Sequence, residues 1–135
     1  MNYKIAEVEG IGPAYAEKLS AAGIKTTGGL LKACATPAGR KKVAETTGIS
    51  PKLILKWTNR ADVMRLKGIG KQFAELREAS VVDTVKELRN RSAANLAVKM
   101  KEVNTAKKLS RSTPSESMVA GWVAQAKEAE PAISY

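Results

Sequence analysis

Ile5-Ala-Glu-Val8-Glu-Gly10-Ile11-Gly12-Pro-Ala-Tyr15-Ala16-Glu-Lys-Leu19 sets the pattern for the chain. Val63-Met-Arg-Leu66-Lys67-Gly68-Ile69-Gly70-Lys71-Gln-Phe73-Ala74-Glu-Leu76-Arg77 repeats it at an offset of 58. At that offset Gly10, Ile11, Gly12, Ala16, Glu17, Ala21, Thr26 and Leu30 meet identical residues, and Tyr15 and Ile24 meet the similar Phe73 and Val82. Trp57 and Trp122 each stand seven residues after a serine, Ser50 and Ser115, but their own offset is 65. The second copy is therefore about seven residues longer between Leu88 and Trp122. The repeat divides the chain into units 1–61 and 62–135. Neither unit buries much surface alone, so the two are expected to pack as one domain.

Each unit reads as short helices joined by tight turns. Ser50-Pro51 and Thr36-Pro37 place a cap before a proline at the first helical position, the latter opening a helix through Val43. Thr113-Pro114-Ser115-Glu116 has capping-box spacing ahead of Met118, Val119, Trp122, Val123 and Ala126. Asp83 is a candidate cap for Val85 and Leu88, and Ser92 for Leu96, Val98 and Met100. Glycines recur at short intervals, and no alternating apolar run is bounded by a hairpin turn signal. The predicted fold is all-α, without a sheet. Helices this short gain little from propensity and depend on a shared core.

The spacing apolar-x-x-apolar-x-Gly-apolar-Gly-x-x-x-Ala-x-x-apolar, met at Ile5, Val8, Gly10, Ile11, Gly12, Ala16 and Leu19, resembles the helix-hairpin-helix motif. The second copy departs from it only at Arg77, where Leu76 offers the apolar contact. Two glycines permit a tight turn and leave no Cβ in the way of an approaching group. The isoleucine between them plugs the helix interface, and the next helix begins with N–H groups that favour an anion. Such contacts read phosphates, not bases. The resemblance further implies paired motifs that grip both strands across the minor groove of duplex DNA. Glu9-Gly-Ile-Gly-Pro-Ala-Tyr-Ala-Glu-Lys-Leu19, Ala35-Thr-Pro-Ala-Gly-Arg-Lys41, Thr47-Gly-Ile-Ser-Pro-Lys-Leu-Ile-Leu-Lys-Trp57 and Asn59-Arg-Ala-Asp-Val-Met64 also resemble a bacterial family known as a domain of unknown function. That likeness implies two tandem helix-hairpin-helix repeats over nearly the whole length.

Charge points the same way. Of 135 residues, 23 are Lys or Arg and 13 are Asp or Glu, a net charge of +10. Residues 40–60 and 86–111 are the basic stretches, whereas the last 21 residues are mildly acidic. A field of this sign draws polyanions, of which nucleic acid is the commonest large one. There is no histidine and Cys34 is the one cysteine, which removes histidine-based bases and triads, structural zinc, iron–sulfur clusters and an internal disulfide. No apolar run approaches the roughly 20 residues of a membrane span, and no signal-peptide core follows Met1. A cytoplasmic protein without cofactor, metal site or small-molecule substrate is expected, and not an enzyme.

The two Gly-Ile-Gly turns differ. Glu9 sets a carboxylate beside the first and Pro13 removes an N–H, whereas Lys67 and Lys71 bracket the second. Lys67, Gly68, Ile69, Gly70 and Lys71 are the expected main phosphate site, with Gly10, Ile11 and Gly12 weaker or purely structural. Lys99, Lys101, Lys107, Lys108 and Arg111 supply further contacts. Thr46-Thr47-Gly48-Ile49-Ser50 has the outline of a degenerate third hairpin. Trp57, Trp122 and Cys34 read as core, and Tyr15 and Phe73 as packing the paired hairpins. The expected activity is sequence-nonspecific binding of nucleic acid, duplex DNA before RNA. The alternatives are a protein-interaction module that recognises an acidic partner, then a ribosome- or RNA-associated accessory protein, and last a degraded enzyme.

Overall fold

Caps decide where the helices begin. The computed structural model describes residues 2–66, 73–80, 82 and 84–135. A 3₁₀ turn, Ile5–Glu7, leads into α1 (Pro13–Ala21), α2 (Thr27–Cys34), α3 (Pro37–Thr47) and α4 (Pro51–Met64). The second unit holds α5 (Ala74–Ala79), α6 (Val85–Arg89), α7 (Ala93–Lys107) and α8 (Glu116–Glu128). Among the described residues the only strand-like pairing is a single antiparallel bridge, Lys4 to Thr26. Thr26, Thr36, Ser50, Thr84, Ser92 and Ser115 each accept a hydrogen bond from a first-turn N–H of the helix they precede. Three details differ from the sequence expectation. The cap of α6 is Thr84, and Asp83 lies outside the described residues. The cap of α8 is Ser115 and not Thr113. Helix α3 continues past Val43 to Thr47, where Gly48 stops it at φ 73°.

Two sets of backbone bonds recur where α1 and α5 end. Ala22 N donates to the carbonyls of Lys18 and Leu19, and Ser80 N donates to those of Leu76 and Arg77. Ile24 N reaches Leu19 O at 2.8 Å, and Val82 N reaches Arg77 O at 2.8 Å. In both units the second helix packs on the fourth, α2 on α4 and α6 on α8.

Each unit has its own buried cluster. Ile5, Val8, Ile11, Leu19, Leu30, Cys34, Ile54 and Trp57 belong to the first; Leu76, Val82, Leu88, Leu96, Met100, Val119 and Trp122 belong to the second. Helix α4 joins them, because its last turn gives Ala61 and Met64 to the first cluster and Val63 to the second. Tyr15 packs edge-on against Trp57 at 5.0 Å, and Phe73 lies 6.1 Å from Trp122. Among the described residues these aromatic pairs lie within a unit; the second Gly-Ile-Gly turn, on which the expected hairpin packing depends, lies outside them. Arg77 is buried, with its guanidinium 6.0 Å above the Trp122 ring, beside an equally buried Leu76. The departure at that position is thus filled by both residues.

Candidate nucleic-acid interface

At the first turn, Gly10 has φ +89°, and a Cβ there would crowd Arg60 and Trp57 at 3.2 and 3.3 Å. The left-handed backbone favours glycine, and the space for a side chain is tight as well. Ile11 is buried as the plug, and Arg60 donates from Nη1 to the carbonyl of Glu9, tying the turn to α4. Gly12 differs. Its φ is −80°, and a Cβ there would meet nothing within 4 Å. The fold makes no use of its missing side chain, which leaves open space in front of the α1 N-terminus. An open hollow of about 690 Å³ lies along Lys4–Gly12. Glu9 is exposed on its rim, while Glu7 accepts a hydrogen bond from Lys4 N at 3.2 Å.

Gly48-Ile49-Ser50-Pro51 has the same construction. Gly48 is left-handed, Ile49 is buried, Ser50 caps and Pro51 starts the helix, as Gly10, Ile11, Gly12 and Pro13 do. Lys41, Lys42, Lys52 and Lys56 are exposed on the two helices that this turn joins.

Helix α7 and the loop after it carry the remaining cations. Lys99, Lys101, Lys107, Lys108 and Arg111 are all exposed, and none makes an ion pair with a described carboxylate. They do not form one stripe. Leu96 and Met100 face the core, and Lys99 and Lys101, two residues apart, project about 200° from each other on opposite flanks of that face. The loop is better ordered for a joint role. Asn104 donates from Nδ2 to Ser110 O at 2.9 Å, and its Oδ1 accepts from Ser110 N at 2.8 Å. This reciprocal clamp closes the segment that presents Lys107 and Lys108 and leads directly to Arg111. Lys108 ends α7 in the left-handed region, φ 53° and ψ 48°. No pattern in the sequence marks that conformation, since glycine is the residue expected there.

Lys67, Gly68, Ile69, Gly70 and Lys71 lie outside the described residues. Trp57, Trp122 and Cys34 are buried as expected. Burial pushes the Cys34 thiol above its ordinary range, while Thr58 and the Arg40 charge pull it part of the way back. No helix among the described residues is long and apolar enough to cross a membrane. Among them, too, no three acidic or cysteine side chains are grouped to hold a metal ion.

Residues 9–129 match the family model described as "Domain of unknown function (DUF4332)". The chain belongs to that family. No curated protein and no solved structure matches it.

Proposed function

We propose that this family member binds nucleic acid without catalysis and without sequence preference, through phosphates, with duplex DNA favoured over RNA. One observation carries the reading: Lys108 holds the left-handed position that Gly48 holds in the first unit, and it stands exposed beside the unpaired Lys107. A non-glycine residue in that conformation is unfavourable locally, so the position is better explained by what the ammonium does outside the fold. The Gly-Ile-Gly turns are taken as those of two helix-hairpin-helix motifs. Gly12 keeps the first one open to a phosphate, and Lys67 and Lys71 supply charge at the second. Glu9 on the rim leaves the first turn the weaker of the two. A bacterial cytoplasm, where Cys34 stays reduced, is the setting that fits.

Anisotropy of a labelled random duplex of about 30 base pairs, at about 50 and about 200 mM salt, tests this. Three phosphate contacts from Lys107, Lys108 and Arg111 make affinity fall by about 40-fold over that range beyond what the triple variant Lys107→Glu/Lys108→Glu/Arg111→Glu shows. Unchanged binding in that variant, with loss in Lys67→Glu/Lys71→Glu, would move the site to the second turn. No binding at the lower salt would sink the nucleic-acid reading and turn the search to acidic protein partners.

A further inference from the structure

A cavity of about 330 Å³ lies beside the end of α4, walled by Asp62 of α4 and by Val85, Lys86 and Arg89 of α6, and roofed by the tail from Ala129 to Tyr135, Pro131 and Ile133 included. Neither Gly10, Ile11 and Gly12 nor the 99–111 cations line it. The roof is fastened at both ends. Arg65 donates to Glu130 O at 2.6 Å. At the far end Arg40 donates to Ser134 O at 2.9 Å, Ser134 N reaches Ala35 O at 2.7 Å, and the Tyr135 hydroxyl reaches Asn59 at 2.7 Å. A segment tied across this span bounds one side of a partly open space.

The walls have a consistent chemistry. Asp62 is buried, and its carboxylate is already taken by Arg65 Nε at 2.7 Å, so it presents little free charge. Lys86 is exposed and has no ion-pair partner among the described residues. Arg89 is half-buried, and among the described residues its one bond is a long 3.4 Å contact from Nη2 to Lys127 O, which leaves most of its five donors unused there. Glu128 and Glu130 flank the roof but do not line the cavity. Two cations therefore stand at one side of a space whose other lining is apolar at Val85, Ala129, Pro131, Ala132 and Ile133 and is completed by the ion-paired Asp62 and by Tyr135. A volume of this size is within the range of small-ligand sites.

We propose that this cavity binds a small organic anion with an apolar body, its carboxylate or phosphate head at Lys86 and Arg89 and its hydrocarbon part against Val85 and Ile133. The proposal is independent of nucleic-acid binding. The test titrates octanoate, octanol and octylammonium into the full chain and follows the Val85 and Ile133 methyl resonances by NMR. Octanoate shifts both saturably, and octylammonium shifts neither. Lys86→Ala/Arg89→Ala weakens octanoate by about tenfold or more, because two charge-assisted contacts are lost. Lys107→Glu/Lys108→Glu/Arg111→Glu leaves octanoate binding unchanged, which separates this site from the proposed phosphate surface. Should the double variant lose helicity, the exposed single variant Lys86→Gln carries the same expectation at about threefold. Equal responses to octanoate and octylammonium, or variants that bind octanoate as the parent does, would overturn the proposal.

Discussion

The two units differ most in their third helix and the loop beyond it. In the first unit α3 has 11 residues, packs on α2 and α4, and passes to α4 through Gly48-Ile49-Ser50. In the second, α7 has 15 residues, packs on α8 and α5, and passes to α8 through residues 108–115. The extra length seen between Leu88 and Trp122 is therefore local. The α3 cap Thr36 follows Leu30 by six positions, but the α7 cap Ser92 follows Leu88 by only four, so the second unit is shorter before its third helix and longer after it. The added chain carries Lys107, Lys108 and Arg111. A shared four-helix plan thus tolerates elaboration where the connection is exposed, and there the added residues are cationic.

The sharpest way to break the comparison is at the tryptophans. Trp57 and Trp122 occupy equivalent places in separate clusters, so replacing either with alanine should cost about 3–5 kcal/mol. Amide hydrogen exchange should show protection falling first in the unit that carries the change. Equal loss in both units would show one cooperative core joined through α4.

A reciprocal exchange at Leu19 and Arg77 should be unequal. Leu19 is fully buried in an apolar cluster, and Leu19→Arg would bury a charge without the ring that Arg77 has, so a loss of about 3 kcal/mol or more is expected. Arg77→Leu gives up the guanidinium and its contacts, the one over Trp122 among them, but keeps apolar bulk, for a smaller loss. Urea midpoints of the two variants test the order, and similar losses would mean that Arg77 is held by its charge more than by packing.

The helix ends offer a smaller effect of opposite signs. Gly48→Lys should destabilise by about 1 kcal/mol, and Lys108→Gly should stabilise by up to about 1 kcal/mol, since both positions are left-handed. Lys108→Gly should also weaken nucleic-acid binding and lower its salt slope by about 0.9. A variant that is more stable yet binds less well would tie the unfavourable conformation to the ligand.

Much of this architecture was legible from local chemistry. Ser50-Pro51 and Thr36-Pro37 mark helix starts because cap and proline act within one turn, and the burial of Trp57 and Trp122 follows from their apolar helix faces. Asp83 and Thr84 are adjacent residues with equal capping chemistry, so only the backbone decides that Thr84 accepts the Glu87 N–H. The tail was illegible for another reason. Its course depends on Arg40, Arg65 and Asn59, which lie 65 or more residues away in sequence, and no periodicity encodes such bonds. In the candidate site the basic composition of 99–111 was plain. The Asn104–Ser110 clamp and the geometry of Lys108 were not, because both arise from how α7 ends.

Cys34 gives the finest distinction between the units, since it ends α2 inside the first cluster, whereas the residue at its offset of 58 is Ser92, an exposed cap. Burial raises the Cys34 thiol, which means the folded chain holds the proton more tightly than the unfolded one. Its contribution to stability is therefore complete below the unfolded thiol value of about 8.5 and declines as pH rises through the folded value. Lysines and tyrosines titrate in the same range, so the quantity to follow is the difference between the parent and Cys34→Ala. That difference, from urea midpoints at about pH 7 and about pH 10, should shrink at the higher pH. A thiol reagent should meanwhile label Cys34 no faster than the first unit opens. A difference that stays constant with pH, or labelling faster than exchange of the α2 amides, would mean that the first cluster admits water at Cys34 while still folded.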